Sequence, residues 1–170
     1  MKKISILLML LAVIGNCIYA QDVKNIKKME INGNVYNYES KVNHIYAAKN
    51  KIKIEKTCET AYVEPDSNNY INNIVKKVFT ADRIQELAEN RYTMTLTFYC
   101  NKGGNVLEVK FFTHDLAVSE KGDQHSLSIE EVDLLDKEIK KQKIDLKNTC
   151  PDVKYYLFIG RVKFMDISQN

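Results

Sequence analysis

Tyr92 to Phe112 reads YTMTLTFYCNKGGNVLEVKFF, and this stretch decides the fold. Met94, Leu96, Phe98 and Cys100 alternate with Thr93, Thr95, Thr97 and Tyr99. A period of two in Thr-rich, aromatic sequence is the mark of a strand with two different faces. Asn101 to Asn105, with Gly103 and Gly104, is a turn. Val106 to Phe112 returns, and its alternation places Leu107, Val109 and Phe111 inward and Glu108 and Lys110 outward. The expectation is a long antiparallel hairpin.

Downstream, Thr113 to Leu127 is polar and reads as loop. Ser128-Ile129-Glu130-Glu131 has the spacing of a capping box. The helix it opens, Ile129 to Gln142, turns Ile129, Val132, Leu135 and Ile139 inward. Its acids Glu130, Glu131, Asp133, Asp136 and Glu138 read as a solvated face. Lys137, Lys140, Lys141 and Lys143 read as solvation and as a complement to the helix dipole. Asn148 to Asp152 is a loop with Pro151, and Tyr155 to Met165 is a last strand. Tyr156, Phe158, Gly160, Val162 and Phe164 share one face of it. Leu157 and Ile159 lie on the other, so the first half is expected to be covered on both sides.

Upstream, Ser67 to Phe79 carries Ile71, Ile74, Val75, Val78 and Phe79 at helical spacing. Thr80 can cap a second helix with Ile84, Leu87 and Ala88 inward, unless the two form one bent helix. Residues 21–67 read as short strands. Met29 to Ile31 and Val35 to Tyr38 flank Asn32-Gly33-Asn34, a strong hairpin signal. Val42 to Ala48 adds a short extended or helical piece. Lys51 to Lys56 (KIKIEK) alternates as a strand with one side in water.

The fold class is therefore α+β: an antiparallel sheet with helices packed on one face, formed by residues 21–170 as a single domain. From residue 68 the order is helices, hairpin, helix, strand. That order resembles the C-terminal domain of TonB-like proteins. The likeness is carried by Leu96-Thr97-Phe98, the turn Asn101 to Asn105, Val106 to Phe111, Ile129 to Gln142, Pro151 and Gly160 to Phe164. It covers residues 68–170 and leaves 21–67 aside. TonB-like transducers keep an N-terminal anchor and a long Pro-rich spacer, whereas this chain has only Pro65 and Pro151. The resemblance implies a small secreted bacterial protein of unassigned function on that scaffold, rather than an energy transducer.

Residues 1–20 read as a cleaved signal peptide. Lys2 and Lys3 precede the apolar run Ile6 to Ile14, and Tyr19-Ala20 ends in a small residue before Gln21. The run is too short to span a bilayer. Lipidation at Cys17 is the rival reading, and Asn16 before it is a poor lipobox residue. The expected location is periplasmic or secreted, with the membrane met only through the signal or a lipid. Cleavage takes two lysines and no acid, so the net charge falls from +3 to about +1. Such a chain has no electrostatic reason to hold nucleic acid. Cys58, Cys100 and Cys150 remain in an oxidising compartment. Any one pair can bridge and leave one thiol over, and spacing does not choose among them.

No assembled catalytic set appears in the sequence. Cys100 with His114 and Asp115 could meet at one sheet end, but a buried strand cysteine and a loop histidine account for them. His44, His114 and His125 lack metal-ligand spacing, so neither metal nor cofactor is expected. The tyrosines are more telling. Tyr36, Tyr38, Tyr99 and Tyr155 fall on strands and offer large contact area with a polar tip. The reading is a non-enzymatic binding module for an envelope protein or peptide, engaged at the edge of the last strand or at the N-terminal hairpin. The alternatives are an inhibitor of secreted peptidases or hydrolases, and a cysteine-dependent envelope hydrolase.

Overall fold

The computed structural model describes residues 26–39, 44–49, 52–113, 118–119, 122 and 126–168. The signal peptide, Cys17, His114, Asp115 and His125 lie outside them. Ten strands and four helices follow in order: β1 (Ile26–Ile31), β2 (Asn34–Glu39), β3 (His44–Ala47), β4 (Tyr62–Glu64), α1 (Ser67–Val78) and α2 (Ala81–Glu89). Then come β5 (Thr93–Asn101), β6 (Val106–Thr113), β7 (Val118–Ser119), β8 (Leu127–Ser128), α3 (Ile129–Lys141), β9 (Asp145–Lys147), β10 (Tyr155–Lys163) and α4 (Phe164–Ser168). Six strands form one antiparallel sheet in the order β1-β2-β3-β6-β5-β10. β1, β2 and β3 thus extend the same sheet as the hairpin, whereas β4 pairs with β9 in a separate two-stranded sheet.

Local chemistry sets each element. Asn32 and Gly33 both adopt positive φ, 49° and 76°, and close the β1–β2 hairpin in two residues. Asp66 accepts from the backbone of Asn68 and Asn69 and starts α1. Phe79 is extended, so α1 and α2 are separate helices, and the Thr80 hydroxyl accepts from the Arg83 N–H. At α3 the capping box is complete: Ser128 accepts from Glu131 N–H at 3.0 Å, and the Glu131 carboxylate accepts from Ser128 N–H at 2.7 Å. Arg83 also donates twice to that carboxylate, at 2.7 and 3.1 Å, tying α2 to the start of α3. Glu131 is therefore held on both sides rather than solvated.

The core lies between the sheet and the helices. Met94, Leu96, Phe98 and Cys100 are fully buried on the helix side. Tyr70 of α1 meets Phe98 with ring centroids 5.8 Å apart, and Phe79 and Tyr92 both lie edge-on to Phe164. Gly160 lets α1 approach β10: a Cβ there would lie 2.1 Å from Ile71 Cδ1 and 3.1 Å from the Ser67 carbonyl oxygen.

Two strand expectations need correction. The described part of KIKIEK, residues 52–56, is not a strand. Residues 52–56 run over the sheet's other face without a pairing partner, and the Ile52 N–H donates to Glu108 at 2.8 Å. The period was right, but no neighbouring strand edge is there to complete a ladder. Leu107 does not point inward. The register shifts between Tyr99 and Cys100, which pair with Glu108 and Val106, so Leu107 is the extra residue of a bulge and is 39% exposed.

Candidate functional site

The face of the sheet away from the helices is built from the odd-numbered residues of β5 and β10. In β10 these are Tyr155, Leu157, Ile159, Arg161 and Lys163, opposite Asn101, Tyr99, Thr97, Thr95 and Thr93. Leu157 is 41% exposed and Ile159 60% exposed. Among the described residues the four helices pack on the even-numbered side and residues 52–56 reach only the Tyr99 and Glu108 part of this face, so the expected cover over Leu157 and Ile159 is missing. Successive residues of the row stand about 7 Å apart. The row is therefore a straight apolar ridge ending in two exposed cations.

The rest of this face is aromatic and polar. Lys110 Nζ sits 5.7 Å from the Tyr46 ring centroid and 5.5 Å from that of Tyr99. His44 lies edge-on to Phe112 at 5.0 Å. The Tyr46 hydroxyl donates to the Glu39 carboxylate, and that bond raises the phenol pKa above its ordinary value.

β10 is also an edge strand, but its backbone is partly closed. Ser67 Oγ donates to the Ile159 carbonyl at 2.8 Å, and the Arg161 N–H donates to Asn68 Oδ1 at 2.7 Å. The first turn of α1 thus takes the outward groups that an added strand would need. Pairing at the middle of Tyr155 to Phe164, the edge singled out in the sequence, is blocked. Nothing local in Ser67-Asn68 announces this, because the partner lies 92 residues away.

At the Tyr155 end the ridge runs into a cleft of about 450 Å³, lined by Lys53, Ile54, Glu55, Lys56, Asp152, Lys154 and Tyr155. Its two walls are stapled by the disulfide Cys58–Cys150, with Cα atoms 5.8 Å apart. Thr60 Oγ1 adds a bond to the Asn148 carbonyl at 3.0 Å. Two of the three candidate thiols are thereby paired. Cys100 is free, fully buried and points its sulfur at the Tyr156 carbonyl. Burial pushes its thiol up to about 12. These three cysteines offer no thiolate to a hydrolase at neutral pH.

The four candidate tyrosines divide between the two faces. Tyr99 and Tyr155 share the face away from the helices and lie diagonally across β5 and β10, but Tyr99 is only 8% exposed there, so only Tyr155 offers contact surface. Tyr36 and Tyr38 lie on the helix side, Tyr38 half-buried against the core. Tyr36 is only 1% exposed and is no part of a surface. Its hydroxyl donates to Asp133 at 2.8 Å and reaches Asp136 at 3.2 Å. Burial, with both carboxylates beside it, pushes the Tyr36 phenol far above its ordinary pKa.

Asp133 and Asp136 are consequently buried, not solvated. Asn34 and Asn32 also donate to Asp133, and Lys137 and Lys140 close ion pairs of 2.6 and 2.8 Å with Asp133 and Asp136. Burial opposes ionisation of Asp133, but the bonds from Lys137, Tyr36, Asn34 and Asn32 outweigh it and hold this carboxyl low. Burial dominates at Asp136 and raises it, with Lys140 and Tyr36 pulling only partly back. This network fastens the β1–β2 hairpin to α3.

Among the described residues, no group of three or more His, Cys, Asp or Glu side chains is placed to hold a metal ion. No described helix is long and apolar enough to cross a membrane.

No protein-family profile matches the sequence, and no curated protein matches it. Among solved structures, the chain is similar to the crystal structure of a DUF5043 family protein from Bacteroides uniformis ATCC 8492. The TM-score is 0.55 over 82% of this chain and 86% of that one, at 18% sequence identity. At that identity the likeness is one of fold, and it carries no function across. The comparisons do not show the TonB-like resemblance, which stays one of element order.

Proposed function

We propose that this chain is a non-enzymatic binding module of the cell envelope that takes a partner polypeptide on the open face of its sheet. The observation that supports it is the pair Leu157 and Ile159, side by side and exposed on the part of that face that the described residues leave uncovered. Burying two such side chains against a partner stabilises a complex by about 2–4 kcal/mol. Tyr155, next in the same row of β10, widens the contact with a side chain suited to recognition. Export rests on Lys2, Lys3, the run Ile6 to Ile14 and Ala20.

A photo-crosslinking residue placed at Ile159, in the protein expressed in its own host, tests the reading. Exposed Glu130 on α3 is the control position. The expected result is a discrete adduct from position 159 that is missing from position 130 and lost with Leu157→Asp. Equal labelling from both positions, or none from 159, overturns it. The same material should begin at Gln21.

A further inference from the structure

Resting on that reading, we infer that the partner presents an extended segment with an apolar centre and acidic flanks. The ridge is basic at both ends. Lys53, Lys56 and Lys154 line the cleft beside Tyr155, and Arg161 and Lys163 follow Ile159. None of these five side chains has an ion-pair partner among the described residues, whereas Lys137, Lys140, Lys141 and Lys147 are all paired. The neighbouring acids, Glu55 and Asp152 in the cleft and Asp166 beside Arg161 and Lys163, are fewer than these five cations and leave an excess of positive charge along the row.

Between the two basic ends lie Leu157 and Ile159, two residues apart on one strand. An extended peptide repeats its side chains with the same period, so alternate apolar residues match the ridge in register. Its backbone cannot pair in the middle of β10, where Ser67 and Asn68 hold the Ile159 carbonyl and the Arg161 N–H. The segment therefore lies across the face and is held by side chains: apolar contact at the centre and carboxylates over the cations at either end. Charge complementarity of this kind fixes direction and raises the association rate more than it adds affinity.

The test uses the full mature chain, oxidised, and two dye-labelled peptides read by fluorescence anisotropy. One is Asp-Glu-Leu-Thr-Ile-Thr-Glu-Asp. The other replaces each acid with Lys. The acidic peptide is expected to bind about tenfold or more tightly than the basic one. Its binding should weaken as salt rises and screens the pairs. Arg161→Gln with Lys163→Gln should weaken it, as should the triple change of Lys53, Lys56 and Lys154 to Gln. Ile159→Asp, at an exposed position that leaves the fold intact, should abolish it.

Equal binding of the two peptides, binding of neither at millimolar concentration, or recruitment to phosphatidylglycerol vesicles in place of the acidic peptide overturns the inference. Adducts from position 159 combined with indifference to peptide charge would leave the module reading standing and remove only the acidic partner. Loss of both results removes both.

Discussion

Replacing Gly160 by Ala probes the contact that holds α1 against β10. In an ordinary strand the change should stabilise, because glycine lowers stability by about 0.5–1 kcal/mol relative to alanine. Here the new methyl would stand 2.1 Å from Ile71 Cδ1 and 3.1 Å from the Ser67 carbonyl. Ile71 is fully buried, so its end methyl has no free volume to enter. Overpacking of this kind costs about 1–3 kcal/mol. For a chain of this size, a loss of about 2 kcal/mol lowers Tm by about 4–8 °C. Ile71→Val removes the obstructing methyl and by itself costs about 0.5–1.5 kcal/mol. The double variant should therefore cost less than the sum of the singles, by about 1–2 kcal/mol. Urea unfolding of the four proteins gives the cycle. Hydrogen exchange at the Arg161 N–H gives a second reading, because moving Ser67 also moves its neighbour Asn68, which accepts that bond. Strictly additive costs, or a Gly160→Ala variant more stable than the parent, would refute the close approach of Ile71.

Four further outcomes are expected. Asp133→Asn should cost about 2–3 kcal/mol at neutral pH, since it weakens a buried acceptor of several donors. That carboxyl is held low, so its contribution is present above its unfolded pKa and is lost as pH falls through the folded one. The difference between variant and parent should then shrink in acid. Asp136 is raised, so the sign reverses: its contribution is present below its unfolded pKa and is lost as pH rises through the folded one. Asp136→Asn should thus cost less at pH 7 than at pH 3 (unfolding monitored across pH checks both). Reducing Cys58–Cys150, which joins residues 92 apart, should lower stability by up to about 4–5 kcal/mol in denaturant titrations with and without reductant. Cys100 should resist alkylation in the oxidised folded chain at pH 8, and become labelled only at the rate of unfolding.

The parts of the fold governed by neighbours in sequence were legible. The alternation of Met94 to Cys100, the Asn32-Gly33 turn, the Thr80 cap and the Ser128–Glu131 box need only a few residues each, and all are present. What escaped reading depends on distant partners. Asp133 and Asp136 have the pattern of a wet helix face, and only Tyr36, about a hundred residues earlier, makes them buried acceptors. Leu107 keeps its place in the alternation, but a one-residue bulge turns it out. KIKIEK carries a strand's period and lacks a strand's neighbour. For the candidate site, Tyr99, Tyr155 and the Leu157–Ile159 pair were visible as one face of two strands. That the face lies open, and that Ser67 and Asn68 close the edge beside it, follows from where the helices pack.

The Cys58–Cys150 bond turns the middle of the chain into a covalent ring with two tails. Inside the ring are α1, α2, β5, β6 and α3; β1, β2 and β3 hang on one tail and β10 on the other. The sheet is thus woven from three topologically distinct pieces. A protease that cuts one peptide bond between residues 58 and 150 opens the ring but releases nothing, and both fragments migrate together until the bond is reduced. A single cut between Glu39 and Cys58 severs the N-terminal tail at once, leaving the Tyr36 contacts to Asp133 and Asp136 and the strand pairings as its attachment. Such a cut leaves the ridge on β10 in place, whereas a cut between Cys150 and Tyr155 severs the tail that carries it.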